Sequence, residues 1–396
     1  MARVHLGRIE RALVVEHPDT SLDQLLREEG CEPHRVEGAA PDEESLISLL
    51  QDQRSQVVFK RSRVPITRKV LEACPDLLAV QLCCIGDDSV DKQACADHGV
   101  MVFNDPVSNG RSVVELVIGH LVALSRRLYE TNESCRRGEW EKTNWQRFEV
   151  KGKVLGVLGL GNIGRGTARA AEMMGMKIRF FDTRQVAMEV GQEFGWEPAN
   201  SVVDLFRNAD CVTVHLSARD TEGRSNAGIL GRDVMSQLGA DRPDNSPRIV
   251  LNLSRGFLHS ADDLLHCIRS GAVRRAAVDV YPQEPRGEGG WVNPYQDEPR
   301  VVVTPHIGAS TQEAQPRIAH RVGETFGAFS RLGKVRDCVF NPRTKLTLGE
   351  NFGENAKVML AVVHGTARGT KRAIDEAIYE AGASNLSSAH KDFSDL

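Results

Sequence analysis

The chain has 396 residues, 41% hydrophobic and 26% charged, which suits two or three domains of ordinary globular composition. Lys and Arg number 50 against 54 Asp and Glu, a net charge of -4, so no overall positive field is available to hold nucleic acid or an anionic membrane. The N-terminal stretch MARVHLGRIERALVVEHPD holds only a short apolar run broken by charge, so neither a signal peptide nor a membrane span is expected. Nine cysteines are scattered without the paired spacing of a zinc site, and read as reduced thiols of a cytoplasmic protein with no metal.

In chain order, RALVVEH (11–17) reads as a strand and SLDQLLREEG (21–30) as a helix closed by Gly30. QVVFK (56–60) and LLAVQLC (77–83) read as further strands, with the helix TRKVLEAC (67–74) between them. This β-α-β alternation predicts a parallel sheet covered by helices. One long helix is expected from Ser112 to Arg137. The polar stretch after it, with Trp140 and Trp145, reads as an exposed arm, to be covered by a partner subunit or by the chain's own body.

From Lys153 the alternation restarts with better definition. VLGVLGL, KIRFFD, CVTVHL, RIVLNLS, RRAAVDVY and RVVVTPH read as six strands separated by helical patterns, the count of a full doubly wound dinucleotide fold. The polar insert GADRPDNSPR (239–248) reads as a surface elaboration. Residues 310–333 are helical in pattern, and Pro316 is expected to bend or interrupt that helix. After a connector, AKVMLAVVH reads as a strand, TKRAIDEAIYEAG as a helix and the last residues as a second strand.

GLGNIG places glycines at 159, 161 and 164. A glycine-rich hexamer alone is a weak signal, but here a buried strand precedes it and a helix follows. Gly159 permits a tight turn, Gly161 lets the backbone approach a pyrophosphate, and Gly164 allows close strand–helix packing. The helix N-terminus offers unpaired N–H groups and the positive end of its dipole. Asp182 follows 18 residues after Gly164, at the end of the next strand, where a carboxylate accepts from a ribose hydroxyl and repels a 2′-phosphate. NAD is therefore favoured over NADP, although Arg184 would tolerate a phosphate.

Four further residues stand at the ends of three consecutive strands: Arg255 in NLSRG, Asp279 and then Glu284 in AVDVYPQEP, and His306 in TPHIG. In an open parallel sheet these carboxyl ends face one crevice. The set suits hydride transfer at a carbon bearing a hydroxyl. His306 takes the hydroxyl proton, Glu284 holds the imidazole and stabilises its charged form, and Arg255 binds a carboxylate through two parallel hydrogen bonds. Each residue alone reads as readily as a surface arginine, a turn glutamate or a satisfied histidine. Their convergence beside a dinucleotide loop is what favours catalysis.

GVLGLGNIGR, NLSRG, AAVDVYPQEP and TPHIGAST, in that order, resemble the D-2-hydroxyacid dehydrogenase family, and the likeness runs over about residues 10 to 345. The resemblance implies Arg255, Glu284 and His306 as the catalytic triad, with His306 the proton donor in the reducing direction. It implies NAD contacts from Asn162, Ile163 and Asp182, from Leu253, Ser254 and Arg255, from Asp279, and from His306, Ile307, Gly308 and Ala309. The implied fold class is α/β: a doubly wound parallel-sheet (Rossmann) NAD domain, residues 108–309, inserted into a flavodoxin-like substrate domain, residues 1–107 and 310–345. A short ACT-like β-α-β segment, residues 346–396, would follow, incomplete and with VVHGTARGTKR in place of the family's Asn-Arg-Pro-Gly type of turn.

FKRSRVPIT (59–67) bears on the substrate. Two guanidinium groups, Arg61 and Arg63, suit a phosphate, whereas a solvated basic loop is the plainer reading. RSRVPITRKVLEA, CCIGDDSVD, GVMVFNDPVSNGRSVVELVIG and RRGEWEK are similar to the bacterial-type D-3-phosphoglycerate dehydrogenases. That resemblance implies that Arg61 and Arg63 hold the phosphate of 3-phospho-D-glycerate, a homodimer or homotetramer, and serine as an effector of the ACT-like segment. Two alternatives stand beside it. One is a D-2-hydroxyacid dehydrogenase acting on glyoxylate, hydroxypyruvate, lactate or 2-hydroxyglutarate. The other is an NAD-gated binding protein like the C-terminal-binding corepressors.

Overall fold

The computed structural model describes residues 8–220, 224–285, 290–332, 336–339 and 369–380. The chain divides into two compact units, Met1–Ser108 with Gln315–Leu396, and Asn109–Ala314.

The first unit carries five parallel strands: β1 (Arg11–Val14), β2 (Glu32–Arg35), β3 (Val57–Lys60), β4 (Ala79–Leu82) and β5 (Met101–Phe103). Their order is β2-β1-β3-β4-β5, so the chain reverses direction across the sheet between β1 and β3. Both faces are covered, which is why β3 and β4 are buried at every position. One face packs Leu13, Val58, Val80 and Val102 against the helices Glu43–Asp52 and Arg68–Ala73. The other packs Val14 and Phe59 against the helix Ala314–Leu332, with the Phe59 and Phe326 rings edge to face at 5.4 Å. That helix begins at Ala314, so Pro316 lies in its first turn. The missing N–H has no acceptor to lose there, and the expected bend is corrected to a helix start.

The second unit carries seven parallel strands: β6 (Val154–Leu158), β7 (Lys177–Phe181), β8 (Glu197–Pro198), β9 (Cys211–Val214), β10 (Ile249–Asn252), β11 (Arg275–Val278) and β12 (Val301–Val303). Their order, β12-β11-β10-β9-β6-β7-β8, reverses between β6 and β9. Six of the seven follow from the apolar runs in the sequence. β8 is a two-residue edge strand with no apolar signal of its own. The single helix expected over 112–137 is two, Gly110–Ser125 and Leu128–Arg136, broken where Arg127 takes a left-handed φ of 55°. Trp140 is 87% exposed and Trp145 59%. The 239–248 insert is tied down rather than loose: Asp241 pairs with Arg207, and Arg242 with the buried Asp210.

In the segment expected to be ACT-like, residues Thr370–Glu380 form a helix. The strands expected on either side of it lie outside the described residues. Among the described residues no helix is long and apolar enough to cross a membrane, and no group of His, Cys, Asp or Glu is arranged to hold a metal.

Candidate active site

The glycine loop leaves β6 at the reversal point of the second sheet, the place where open α/β sheets form a crevice beyond their carboxyl ends. Gly159 has φ +91°, and a Cβ there would lie 2.5 Å from the His215 carbonyl oxygen. A Cβ on Gly164 would lie 2.0 Å from the Gly159 oxygen, so the helix Asn162–Met173 can start this close to the turn only with glycine there. Among the described residues, a Cβ built on Gly161 would meet within 4 Å only the Arg184 guanidinium, at 3.9 Å. Gly161 is the helix N-cap and, having no side chain, caps none of the first-turn N–H groups itself.

Asp182 ends the loop's far side. Its carboxylate accepts the Leu160 N–H at 2.7 Å and both the backbone and guanidinium N–H groups of Arg184 at 2.7–2.9 Å. Burial alone would raise the carboxyl pKa; the bonds from Arg184 and Leu160 outweigh it, and the net direction is down. The carboxylate therefore stays charged, facing the loop.

β10, β11 and β12 are adjacent and parallel, and their ends bring Arg255, Asp279, Glu284 and His306 to one edge. His306 Nδ1 lies 2.8 and 3.0 Å from the two Glu284 oxygens. A carboxylate only accepts, so Nδ1 carries the proton and Nε2 of the neutral ring is the acceptor. The pair is half open to solvent, with side chains 45% and 33% exposed. Arg255 is half-buried, and its Nη1 donates to the Ser254 carbonyl at 2.9 Å.

His306 adopts a left-handed φ of 55°, a conformation that costs a non-glycine residue about 1–3 kcal/mol unless its surroundings impose it. Asp279 imposes it. This carboxylate is fully buried, and it accepts Thr304 Oγ1 at 2.6 Å, Ile307 N at 2.9 Å and Gly308 N at 2.9 Å. It grips the chain on both sides of the histidine.

Asn252 does the same for Arg255. Its Nδ2 donates to the Arg255 carbonyl at 2.9 Å and lies 3.1 Å from His259 Nδ1, while its Oδ1 accepts the Ser254 N–H at 3.2 Å. His259 Nε2 in turn lies 2.9 Å from the Tyr295 hydroxyl. Asn252, His259 and Thr304 were not singled out from the sequence. Asn252, the first residue of NLSRG, is the one with a local hint; His259 and Thr304 gain meaning only through tertiary contacts.

Residues 118–308 match the D-isomer specific 2-hydroxyacid dehydrogenase, NAD binding domain. The D-3-phosphoglycerate dehydrogenase of Escherichia coli is 33% identical over 350 residues, 88% of this chain and 82% of that protein. That of Dictyostelium discoideum is 31% identical over 337 residues, 85% of this chain and 79% of that protein. This chain belongs to the D-isomer specific 2-hydroxyacid dehydrogenase family. Solved relatives share the fold. A glyoxylate reductase from Paecilomyes thermophila superposes with a TM-score of 0.71 at 21% identity, over 83% of this chain and 98% of that one. An NADPH-dependent glyoxylate/hydroxypyruvate reductase from Sinorhizobium meliloti gives 0.67 at 22%, over 84% and 97%.

The dehydrogenase is NAD-dependent, and the loop fits that cofactor. Gly161 leaves room for a pyrophosphate, the open helix N-terminus supplies donors, and charged Asp182 suits a ribose diol better than a 2′-phosphate. Asn162 and Ile163 open the helix, and Leu253 and Ser254 follow β10 directly. Ile307, Gly308 and Ala309 continue the loop that Asp279 holds. Arg61 and Arg63 belong to the other compact unit. There they follow β3, Arg61 half-buried and Arg63 exposed.

Proposed function

We propose that this dehydrogenase oxidises 3-phospho-D-glycerate to 3-phosphohydroxypyruvate, the first step of serine synthesis. The observation that carries the chemistry is the His306–Glu284 pair at 2.8 Å, on a strained loop gripped by Asp279. NAD, when bound, accepts the hydride from the carbinol carbon. His306 Nε2 takes the hydroxyl proton, and Glu284 stabilises the imidazolium that forms. Arg255 binds the substrate carboxylate through paired N–H donors and orients the carbinol carbon.

Arg61 and Arg63 are the phosphate ligands in this reading. Among the described residues neither guanidinium has an ion-pair partner, which leaves both charges available to an anion. The reading is supported by relatives named D-3-phosphoglycerate dehydrogenase in bacteria, yeast and amoeba. In the same proposal the substrate domain is residues 1–107 with 310–345, and the NAD domain 108–309. The exposed tryptophan arm, Trp140 and Trp145, is covered by a second copy in a homodimer or homotetramer.

The test is NADH formation with 3-phospho-D-glycerate, beside NADH oxidation with phosphohydroxypyruvate, 2-oxoglutarate, glyoxylate and hydroxypyruvate, each with and without serine. Preference for the phosphorylated pair supports the assignment. Preference for an unphosphorylated acid would keep the role of His306 and discard that of Arg61 and Arg63, and absence of turnover would favour an NAD-gated binding protein.

A further inference from the structure

The first sheet has its own reversal point, between β1 and β3, and a crevice is expected beyond the carboxyl ends of those two strands. Two charged residues sit there that no part of the reaction above uses. Lys60, the last residue of β3, is fully buried. Its Nζ donates to the Arg61 carbonyl at 2.7 Å and to Ser89 Oγ at 2.7 Å. Glu16, just past β1, is 8% exposed, and its Oε2 lies 4.0 Å from Lys60 Nζ. Its Oε1 accepts the Arg63 N–H at 2.7 Å.

Lys60 thus holds the backbone before Ser62 and Glu16 holds it after. Both Glu16 and His17 take left-handed φ values, 65° and 51°, an arrangement that persists only where the surroundings impose it. A buried lysine beside a buried glutamate is a poor way to gain stability, since an apolar pair of the same volume would do as well or better. Burial pulls the ammonium pKa down and Glu16 pulls it back up, so the carboxylate helps Lys60 keep its charge. The arrangement makes sense as a device for holding a loop.

We infer that Lys60 and Glu16 are positioning residues that fix the Arg61–Ser62–Arg63 backbone so that the two guanidinium groups converge on the substrate's phosphate. The inference rests on the phosphate role proposed for Arg61 and Arg63.

The experiment compares KM for 3-phospho-D-glycerate, KM for NAD and kcat in the full-length enzyme for Lys60→Met, for the charge-free pair Glu16→Gln with Lys60→Met, and for Arg61→Ala. Losing the grip on the Arg61 carbonyl should raise KM for phosphoglycerate about tenfold or more in both Lys60 variants, with KM for NAD and kcat moving by less than about threefold. A general loosening of the fold would move both KM values together, and that outcome overturns the inference. So does an unchanged KM for phosphoglycerate in the charge-free pair, which remains measurable if Lys60→Met alone fails to fold. Arg61→Ala separates the two levels. If it leaves KM for phosphoglycerate unchanged, the phosphate reading itself has failed. If it raises that KM while the Lys60 variants do not, only the positioning role has.

Discussion

Each sheet of this dehydrogenase reverses its strand order once, and the two reversal points are built in opposite ways. In the second unit the loop beyond β6 presents backbone, glycines and a helix start without a side-chain cap, with the Asp182 carboxylate reaching Leu160 from the end of β7. The neighbouring His306 loop is held by Asp279, whose oxygens are met by three donors. In the first unit the loop beyond β3 presents side-chain charge and is held by a buried ion pair. There Glu16 Oε2 has no hydrogen-bond donor among the described residues, and its nearest cation is 4.0 Å away. Left-handed non-glycine residues stand in both units, His306 in the loop that Asp279 grips and Glu16 and His17 in the loop beyond β1. The difference shows two ways to hold a loop: with hydrogen bonds that are all met, or with charges that partly compensate and leave one oxygen over. The second is the more fragile to single substitutions, because removing either charge strands the other.

The largest expected effect separates the roles of the two units. His306→Gln should lower kcat by about 10²–10⁴-fold while KM for NAD stays near that of the parent enzyme. Arg61→Ala, in the other unit, should act mainly on KM for the phosphorylated substrate, by about 10- to 100-fold for one lost charge-assisted contact. Steady-state kinetics on the two variants checks the split, and a kcat loss of equal size in both would erase the distinction.

Next comes stability. Glu16→Gln leaves Lys60 buried without a carboxylate and should cost about 3–5 kcal/mol in urea unfolding, and adding Lys60→Met should return most of it. Strict additivity of the two changes would show that the pair is not coupled. Asp279→Asn is the matching test in the second unit. Its amide turns one acceptor into a donor facing donors, so about 1–3 kcal/mol should be lost, with no second substitution nearby to restore it. An asparagine variant as stable as the parent would mean that the loop holds itself.

The smallest effect is a pH dependence in the support of Arg255. Burial, opposed weakly by Asp263, pushes His259 down to about 4 in the folded chain. Above about pH 6.5 the residue is neutral in both folded and unfolded chains. As pH falls from there towards 4, the unfolded chain binds a proton that the folded chain refuses, so stability is lost over that window. The loss attributable to His259 should reach about 2 kcal/mol by pH 5. Urea unfolding at pH 7 and pH 5 should therefore show a smaller difference in His259→Gln than in the parent, and an equal difference would place the acid sensitivity elsewhere.

Much of this was legible in the sequence. Apolar runs marked nine of the twelve strands, whereas β2, EPHR, β5, MVF, and β8, EP, lie at sheet edges and are too short or too polar to stand out. The glycines at 159 and 164 were readable because their conformations and close approaches exclude any side chain, a constraint written into residue type itself. The placement of Arg255, Glu284 and His306 at one sheet edge was readable because each stands past a strand end and the parallel topology gathers such ends. Only the tertiary structure decided the rest. It turned Lys60 from part of a basic cluster into a buried cation, broke the expected long helix at Arg127, and moved Pro316 to a helix start. It also made Asp279 and Asn252 the holders of the His306 and Arg255 loops. A strand or a glycine turn is specified by near neighbours in the chain. A buried charge is specified by partners tens or hundreds of residues away, and no local pattern records them.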